Sequence, residues 1–382
     1  MSINHLYHTW FNQIEQLRPG ERVTRLRNFA WLLVGIRSSK SVHLSKVALK
    51  IPGAAKSLSI TRRLSRFLDN PAIRVREWYA SIARNMLRAM ADTVGEIRLI
   101  ADGTKVGFGH QLLMVAVAFR RRAIPIAWTW VKKSRGHSSA VKQLALLAYV
   151  RRLIPTSTPV LLVGDNEFGA VEVIRQLEAW EWWYVLRQKS SHRVKLCDES
   201  IWQSFRDLVA KPGQSNWLGL SLLTFKHAHP TNLLAHWKKG EEEPWLLATN
   251  LSSQRDTLRA YRRRMWIEEM FGDMKRNGFD LESTHLRHFL RLSRLTLAVA
   301  LLYVWLISMG SKAIKDGQRH LVDRAERRDL SIFQIGLRSV ERRLTNALPV
   351  QIRLLPVYGC KLSGSYRSSD NDFDIWPDFN AC

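Results

Sequence analysis

Residues 261–275 read Y-R-R-R-M-W-I-E-E-M-F-G-D-M-K. No Gly or Pro interrupts the run before Gly272, and Met265, Ile267, Met270 and Phe271 supply an apolar side. That pattern predicts a helix. On a wheel of about 100° per residue with Glu268 at the origin, Tyr261 falls at about +20°, Arg264 at about −40° and Lys275 at about −20°. One carboxylate, two cations and a phenol share a narrow face, and Glu269 lies about 100° away. Charge pattern alone assigns no function, because i,i+4 Arg–Glu pairs are common on solvated helix surfaces.

Working back from this helix, the pattern over Ile97–Leu186 is strand, strand, strand, helix, strand, helix, strand. The strands are Ile97–Ala101, Leu112–Phe119, Ala123–Val131, Val160–Val163 and Trp183–Leu186, and the helices are Ser138–Ile154 and Ala170–Trp180. Arg120-Arg121-Arg122 forms a turn between the second and third strands. This is the order of a ribonuclease-H-like core. Asp102 closes the first strand and Asp165 the fourth, which are neighbours in that order. Ligands bind at the carboxyl ends of strands in such sheets. Each aspartate taken singly also fits a plain turn, since Asp-Gly is a common turn pair. With Glu268 arriving on a packed helix, Asp102 and Asp165 complete a set of hard oxygen ligands suited to Mg²⁺ or Mn²⁺. Two such ions about 4 Å apart activate a water or a 3′-hydroxyl and stabilise the leaving oxygen of a phosphodiester. No covalent protein nucleophile is needed.

The remaining chain frames this core. The fold class expected is α/β: a ribonuclease-H-like catalytic core with a β-rich insertion, flanked by an N-terminal helical domain and C-terminal helices. Residues 1–92 read as helices, residues 93–187 as the first part of the core and residues 188–250 as the insertion. Residues 251–310 carry Glu268 and the core helices, and residues 311–382 are a basic helical region (Leu321–Leu344) and a Ser/Asp/Pro-rich tail. In the first region, Val42–Leu49, a Pro52-Gly53 breaker and Ser57–Leu68 outline a helix-turn-helix. Arg62, Arg63 and Arg66 lie on the polar side of its second helix, as candidates for DNA contact. An ordinary basic helical bundle fits the same residues.

Composition narrows the partner. Lys and Arg number 59 against 33 Asp and Glu, for a net charge of +26. An excess of that size points to a polyanion. The basic residues are spread along the whole chain, which favours nucleic acid over a membrane surface. Three cysteines, Cys197, Cys360 and Cys382, have no metal-ligand spacing and suit a reducing cytoplasm. No signal peptide is visible, and the apolar run Leu295–Met309 is short for a membrane span, so it reads as a buried helix.

The spacing Tyr261-x2-Arg264-x3-Glu268-x6-Lys275 resembles the signature of the DDE transposases of bacterial insertion sequences. The resemblance implies that Asp102, Asp165 and Glu268 hold two Mg²⁺ or Mn²⁺ ions. It implies that Tyr261, Arg264 and Lys275 grip phosphates of the transposon end, for which a guanidinium fork, a point charge and a phenol donor are suited. Trp245, in P-W-L-L-A-T-N, matches a tryptophan that stacks on a flipped base in similar transposases. Stacking of this kind contributes about 1–3 kcal/mol; a core tryptophan on a strand fits the same residue. One departure follows Asp165, where Asn166-Glu167-Phe168-Gly169 replaces a small-residue pair and makes Glu167 a rival carboxylate. The implied function is cut-and-paste transposition. By that reading the protein would bind the terminal inverted repeats, cleave by metal-dependent hydrolysis and join 3′ ends to target DNA. The resemblance further implies double-stranded DNA as partner, a homodimer in the DNA complex, a cytoplasmic location with no membrane, and a hairpin intermediate compatible with the β-rich insertion. A metal-dependent endonuclease without strand transfer and an inactive DNA-binding regulator are the alternatives.

Overall fold

The structure, a computed structural model, describes residues 3–358 apart from 108, 133–137 and 198. Cys360, Cys382 and the Ser/Asp/Pro-rich tail lie outside the described residues.

Five helices come first: α1 (Ile3–Leu17), α2 (Val23–Ser39), α3 (Leu44–Ala48), α4 (Ser57–Asp69) and α5 (Val75–Val94). In α4 the apolar stripe Ile60, Leu64, Phe67 and Leu68 is buried while Arg62, Arg63 and Arg66 are on its open side. Helix α5 stops at Gly95, whose φ of 73° is a left-handed cap that glycine adopts without a Cβ clash. These helices pack on α10 (Phe289–Lys315), with Trp10 edge-on to Trp305 at 5.3 Å. Arg294 of α10 is buried and donates to the Leu68 carbonyl at 2.7 Å and the Ile73 carbonyl at 3.1 Å. It thereby satisfies a carbonyl that the end of α4 leaves without a helical partner. The apolar run read as a buried helix is the middle of α10. By length and composition α10 could cross a membrane, but 94% of its apolar window is buried inside the protein.

The strands are β1 (Ile97–Val106), β2 (His110–Phe119), β3 (Arg122–Lys132), β4 (Val160–Gly164), β5 (Trp183–Arg187), β6 (Arg193–Leu196), β7 (Gln203–Ser204), β8 (Ser215–Leu223), β9 (His229–His236) and β10 (Trp245–Thr249). They form one ten-stranded sheet in the order β3-β2-β1-β4-β5-β10-β9-β8-β6-β7. β1, β2 and β3 are antiparallel, whereas β1, β4 and β5 run parallel. The β-rich segment extends the sheet rather than standing apart from it, because β10 pairs antiparallel with β5. That pairing covers backbone groups β5 would otherwise expose as an edge. Helices α6 (Ala140–Arg151) and α7 (Val171–Ala179) join the parallel strands.

Helices α8 (Gln254–Tyr261) and α9 (Met265–Met274) cross one face of the sheet. Ser253 caps α8, its hydroxyl accepting from the Asp256 amide at 3.1 Å. Helix α11 (Ile332–Thr345) packs on α10 through Gly310 and Gly336. A Cβ at Gly336 would overlap the Leu306 carbonyl oxygen, and one at Gly310 the Ile332 carbonyl oxygen.

Most element ends shift by a residue or a few from the sequence reading, and three differences are larger. Strand β1 continues through Asp102 to Val106, so that aspartate lies within the strand. Its partner β2 is long enough to pair as far as Val106 with His110. The stretch 261–275 is not one helix: Arg262–Arg264 form a 3₁₀ turn between α8 and α9, and Lys275 lies beyond the end of α9. The basic stretch Leu321–Leu344 is helical only from Ile332, because Arg319 turns back and donates to the Arg324, Ala325 and Arg327 carbonyls, holding the preceding segment as a loop.

Candidate active site

Strand register sets the geometry. Ala101 pairs with Gly164 across the parallel β1–β4 ladder, so Asp102 and Asp165 are the next residues on adjacent strands. Gly164 sits where a Cβ would meet Leu186 Cδ2 at 2.8 Å and Phe168 Cβ at 3.1 Å, and its absence lets the chain turn there. Across the 3₁₀ turn residues i and i+3 eclipse, which keeps Tyr261 above Arg264. The next step, Arg264 to Glu268, is an i,i+4 step into α9. Three of the four signature residues thus stay on one side although the helix is broken.

Arg264 is the hub. Its Nη2 lies 3.2 Å from Asp102 Oδ2 and 3.3 Å from Asp165 Oδ2, and its Nη1 lies 2.7 Å from Glu268 Oε1. Asp102 also accepts the Gly103 amide at 2.6 Å. Burial pushes the Asp102 carboxyl up to about 7; Arg264 opposes that shift and the charges of Asp165 and Glu268 add to it. Asp165 has Arg187 Nη1 at 3.9 Å, and its buried Oδ1 makes no hydrogen bond among the described residues. Three carboxylates face two guanidiniums, leaving a surplus negative charge and an orphaned carboxylate oxygen. Hard oxygen donors of that kind fit a divalent cation. With Arg264 between them, no group of three or more acidic, His or Cys side chains is close enough to hold a metal among the described residues.

The other expected site residues are placed as follows. Tyr261 is 1% exposed and packs with Leu161, Val163, Val185, Leu234 and Leu247. Its hydroxyl is buried, and burial raises its pKa with Asp165 adding to the shift. Trp245 is half-buried, edge-on to Tyr261 at 5.0 Å, and also lines the cleft beside the acids. Lys275 is turned to other partners, Glu282 Oε1 at 2.9 Å and the Lys105 carbonyl at 2.9 Å, because it sits past the helix end. Arg62, Arg63 and Arg66 are on α4. Arg63 and Arg66, with Arg22 and Arg25, line a separate cleft of about 450 Å³.

Glu167 is held elsewhere in the framework. Its carboxylate accepts the Ser138 amide at 2.6 Å and the Gln111 side chain at 3.3 Å, while buried Gln143 donates to its carbonyl at 2.6 Å. It ties the start of α6 to the turn after Asp165. Glu269 pairs with Arg122 at 3.2 Å, on the side of α9 away from Asp102. Sequence reading missed Arg187; its signal was its position at the end of β5, beside the strand that delivers Asp165.

The cleft, about 1620 Å³, runs from Trp245 past Arg264 and Glu268 to Arg120 and Arg121. Both arginines have positive φ, 46° and 62°, as a tight two-residue hairpin turn requires. Arginine adopts that region at a cost, and the turn sets both residues in the cleft wall. Arg263 also lines the cleft; burial depresses its pKa to about 10, and Arg98 adds to the shift.

A family of transposase DDE domains matches residues 98–305, a span that includes all three acids. The chain belongs to this DDE transposase family. Enzymes of the family use divalent metal ions. Among solved structures, the transposase is similar to the piggyBac transposase synaptic complex with hairpin DNA, at 10% identity and a TM-score of 0.42, over 97% of this chain and 85% of that one. No curated protein sequence matches the transposase.

Proposed function

We propose that this chain is the transposase of a bacterial insertion sequence, built on a ribonuclease-H-like core. It binds the terminal repeats of its element, cleaves there with Mg²⁺ or Mn²⁺, and joins the 3′ ends to target DNA as a homodimer. The observation that carries the reading is the meeting of Asp102, Asp165 and Glu268 around one guanidinium, in a chain of the DDE family. Residues 1–92 contact the element's ends, and the regions 93–187 and 251–310 supply the chemistry, with 188–250 inserted between them. Residues 311–382 are the C-terminal region, in which α11 packs on α10.

Asp102, Asp165 and Glu268 would hold the divalent ions, which supply Lewis-acid activation of the scissile phosphate and of the attacking hydroxyl. The remaining work falls to the protein. The Gly103 amide fixes the Asp102 carboxylate in direction. Arg264 and Arg187 offer forked donors to non-bridging phosphate oxygens, where fixed positive charge stabilises charge that develops in the transition state. Tyr261 packs edge-on to Trp245 and His236 lies beside it, and Trp245 would stack on a base in the cleft.

Incubation with a duplex carrying the element's end and Mg²⁺ tests the proposal. Nicked ends and joined products are expected. Cleavage without joining would identify an endonuclease, and binding without cleavage a regulator.

Replacing Arg62, Arg63 and Arg66 together by Ala is expected to lower the slope of log affinity against log salt by about 3, at roughly 0.9 for each phosphate no longer neutralised. An unchanged slope would remove α4 from the DNA interface. Point substitutions are the right tool here, because deleting residues 1–92 would strip Trp10 from Trp305 and bare the apolar side of α10.

A further inference from the structure

The position of Arg264 has a consequence for metal entry. A single guanidinium lies within 2.7–3.3 Å of carboxylate oxygens from β1, the end of β4 and α9. The side chain is only 12% exposed, and its Nε is buried with no hydrogen-bond partner among the described residues. The grip is therefore electrostatic and incompletely satisfied by hydrogen bonds. A divalent cation of the Mg²⁺ type takes oxygen ligands at about 2.0–2.1 Å with near-octahedral geometry. Three carboxylates spaced around a planar guanidinium cannot close to those distances while it remains. Without any cation, three carboxylates converging at partly buried positions would repel each other, because charges there are screened less than in bulk water.

We propose that Arg264 is a built-in counterion that fills the place of the divalent cation in the metal-free protein, so that metal enters only as Arg264 leaves the carboxylates. The inference rests on the reading of Asp102, Asp165 and Glu268 as metal ligands. Arg264 keeps the acid cluster assembled when no metal is bound, and its exchange frees a guanidinium at the moment a phosphate needs one. Metal occupancy and the three ion pairs of Arg264 are mutually exclusive.

Calorimetric titration of the DNA-free full-length chain with Mn²⁺, together with thermal unfolding in EDTA and in Mn²⁺, tests this without reference to activity. Arg264→Gln is expected to bind Mn²⁺ about tenfold or more tightly than wild type, because the competing charge is gone. Arg264→Lys keeps the charge and is expected to stay within about threefold of wild type. In EDTA the Arg264→Gln protein should unfold at a lower temperature than wild type, and Mn²⁺ should restore it. Equal or weaker Mn²⁺ binding by Arg264→Gln overturns the inference, even if the variant is destabilised. Glu268→Gln separates the two levels of the argument. If binding depends on Glu268 but not on Arg264, the three-carboxylate reading stands and the counterion proposal fails. If Glu268→Gln leaves the isotherm of both proteins unchanged, both fail.

Discussion

Asp102→Asn, Asp165→Asn and Glu268→Gln are each expected to lower single-turnover cleavage by about 1000-fold or more, while duplex affinity stays within about threefold. The two readouts separate because they depend on different residues. Each substitution keeps the shape of the side chain and removes a charged oxygen donor, so it acts on ligand charge rather than on packing. A lost ligand removes or misplaces a cation that carries several kcal/mol of transition-state stabilisation. Affinity depends instead on phosphate contacts spread over a chain of net charge +26. Single-turnover kinetics on a labelled end duplex, with binding measured in parallel, checks both. Strong residual cleavage by Asp165→Asn would shift the second carboxylate to Glu167, at the expense of its bonds to Ser138 and Gln111.

Gly336→Ala is expected to destabilise the protein by about 3 kcal/mol or more. The added Cβ would overlap the Leu306 carbonyl oxygen and its carbon, which are backbone atoms of a buried helix and cannot rotate aside. Relief requires α11 to lift from α10, and that would uncover Ile332, Phe333, Ile335 and Val340, all buried. Gly310→Ala strikes the Ile332 backbone from the opposite side and should behave alike. Gly272→Ala in α9 is the control. There the nearest atom is Asn277 Nδ2 at 3.5 Å, so the substitution should be neutral or stabilise by about 0.5–1 kcal/mol through helix propensity. Thermal unfolding of the three variants measures this, with a fall of about 5 °C or more expected for Gly336→Ala. An unfolding temperature for Gly336→Ala equal to that of Gly272→Ala would mean that α10 and α11 do not cross this closely.

The site was legible in sequence where local pattern and strand order suffice. Apolar runs ending in Asp-Gly and Gly-Asp marked Asp102 and Asp165 as strand-end aspartates, the resemblance to the transposase signature selected Glu268, and the structure brings the three around Arg264. What stayed hidden depends on tertiary contact. Nothing in Arg262-Arg263-Arg264 marks a 3₁₀ turn, because arginine is a good helix former. The break separates α8 from α9, and α9 itself ends at Met274, one residue short of Lys275. A uniform wheel puts Lys275 on the shared face, whereas it lies past the end of α9 and pairs with Glu282. The resemblance made Tyr261 a phenol on a phosphate, and only the packing of Val163, Val185 and Leu247 around it shows its burial. The extension of the sheet by β10 could not be read from strand propensity, which does not encode which edge a strand joins.

The most direct test of the central claim places sulfur on a non-bridging oxygen of the scissile phosphate and follows single-turnover cleavage in Mg²⁺ and in Mn²⁺. Mg²⁺ binds sulfur poorly, and Mn²⁺, the softer ion, accepts it. The account predicts strong slowing in Mg²⁺, recovery in Mn²⁺, and no recovery in Glu268→Gln. Cleavage slowed equally in both metals, or unaffected by sulfur in either, would contradict an acid cluster that holds its cation against the reacting phosphate.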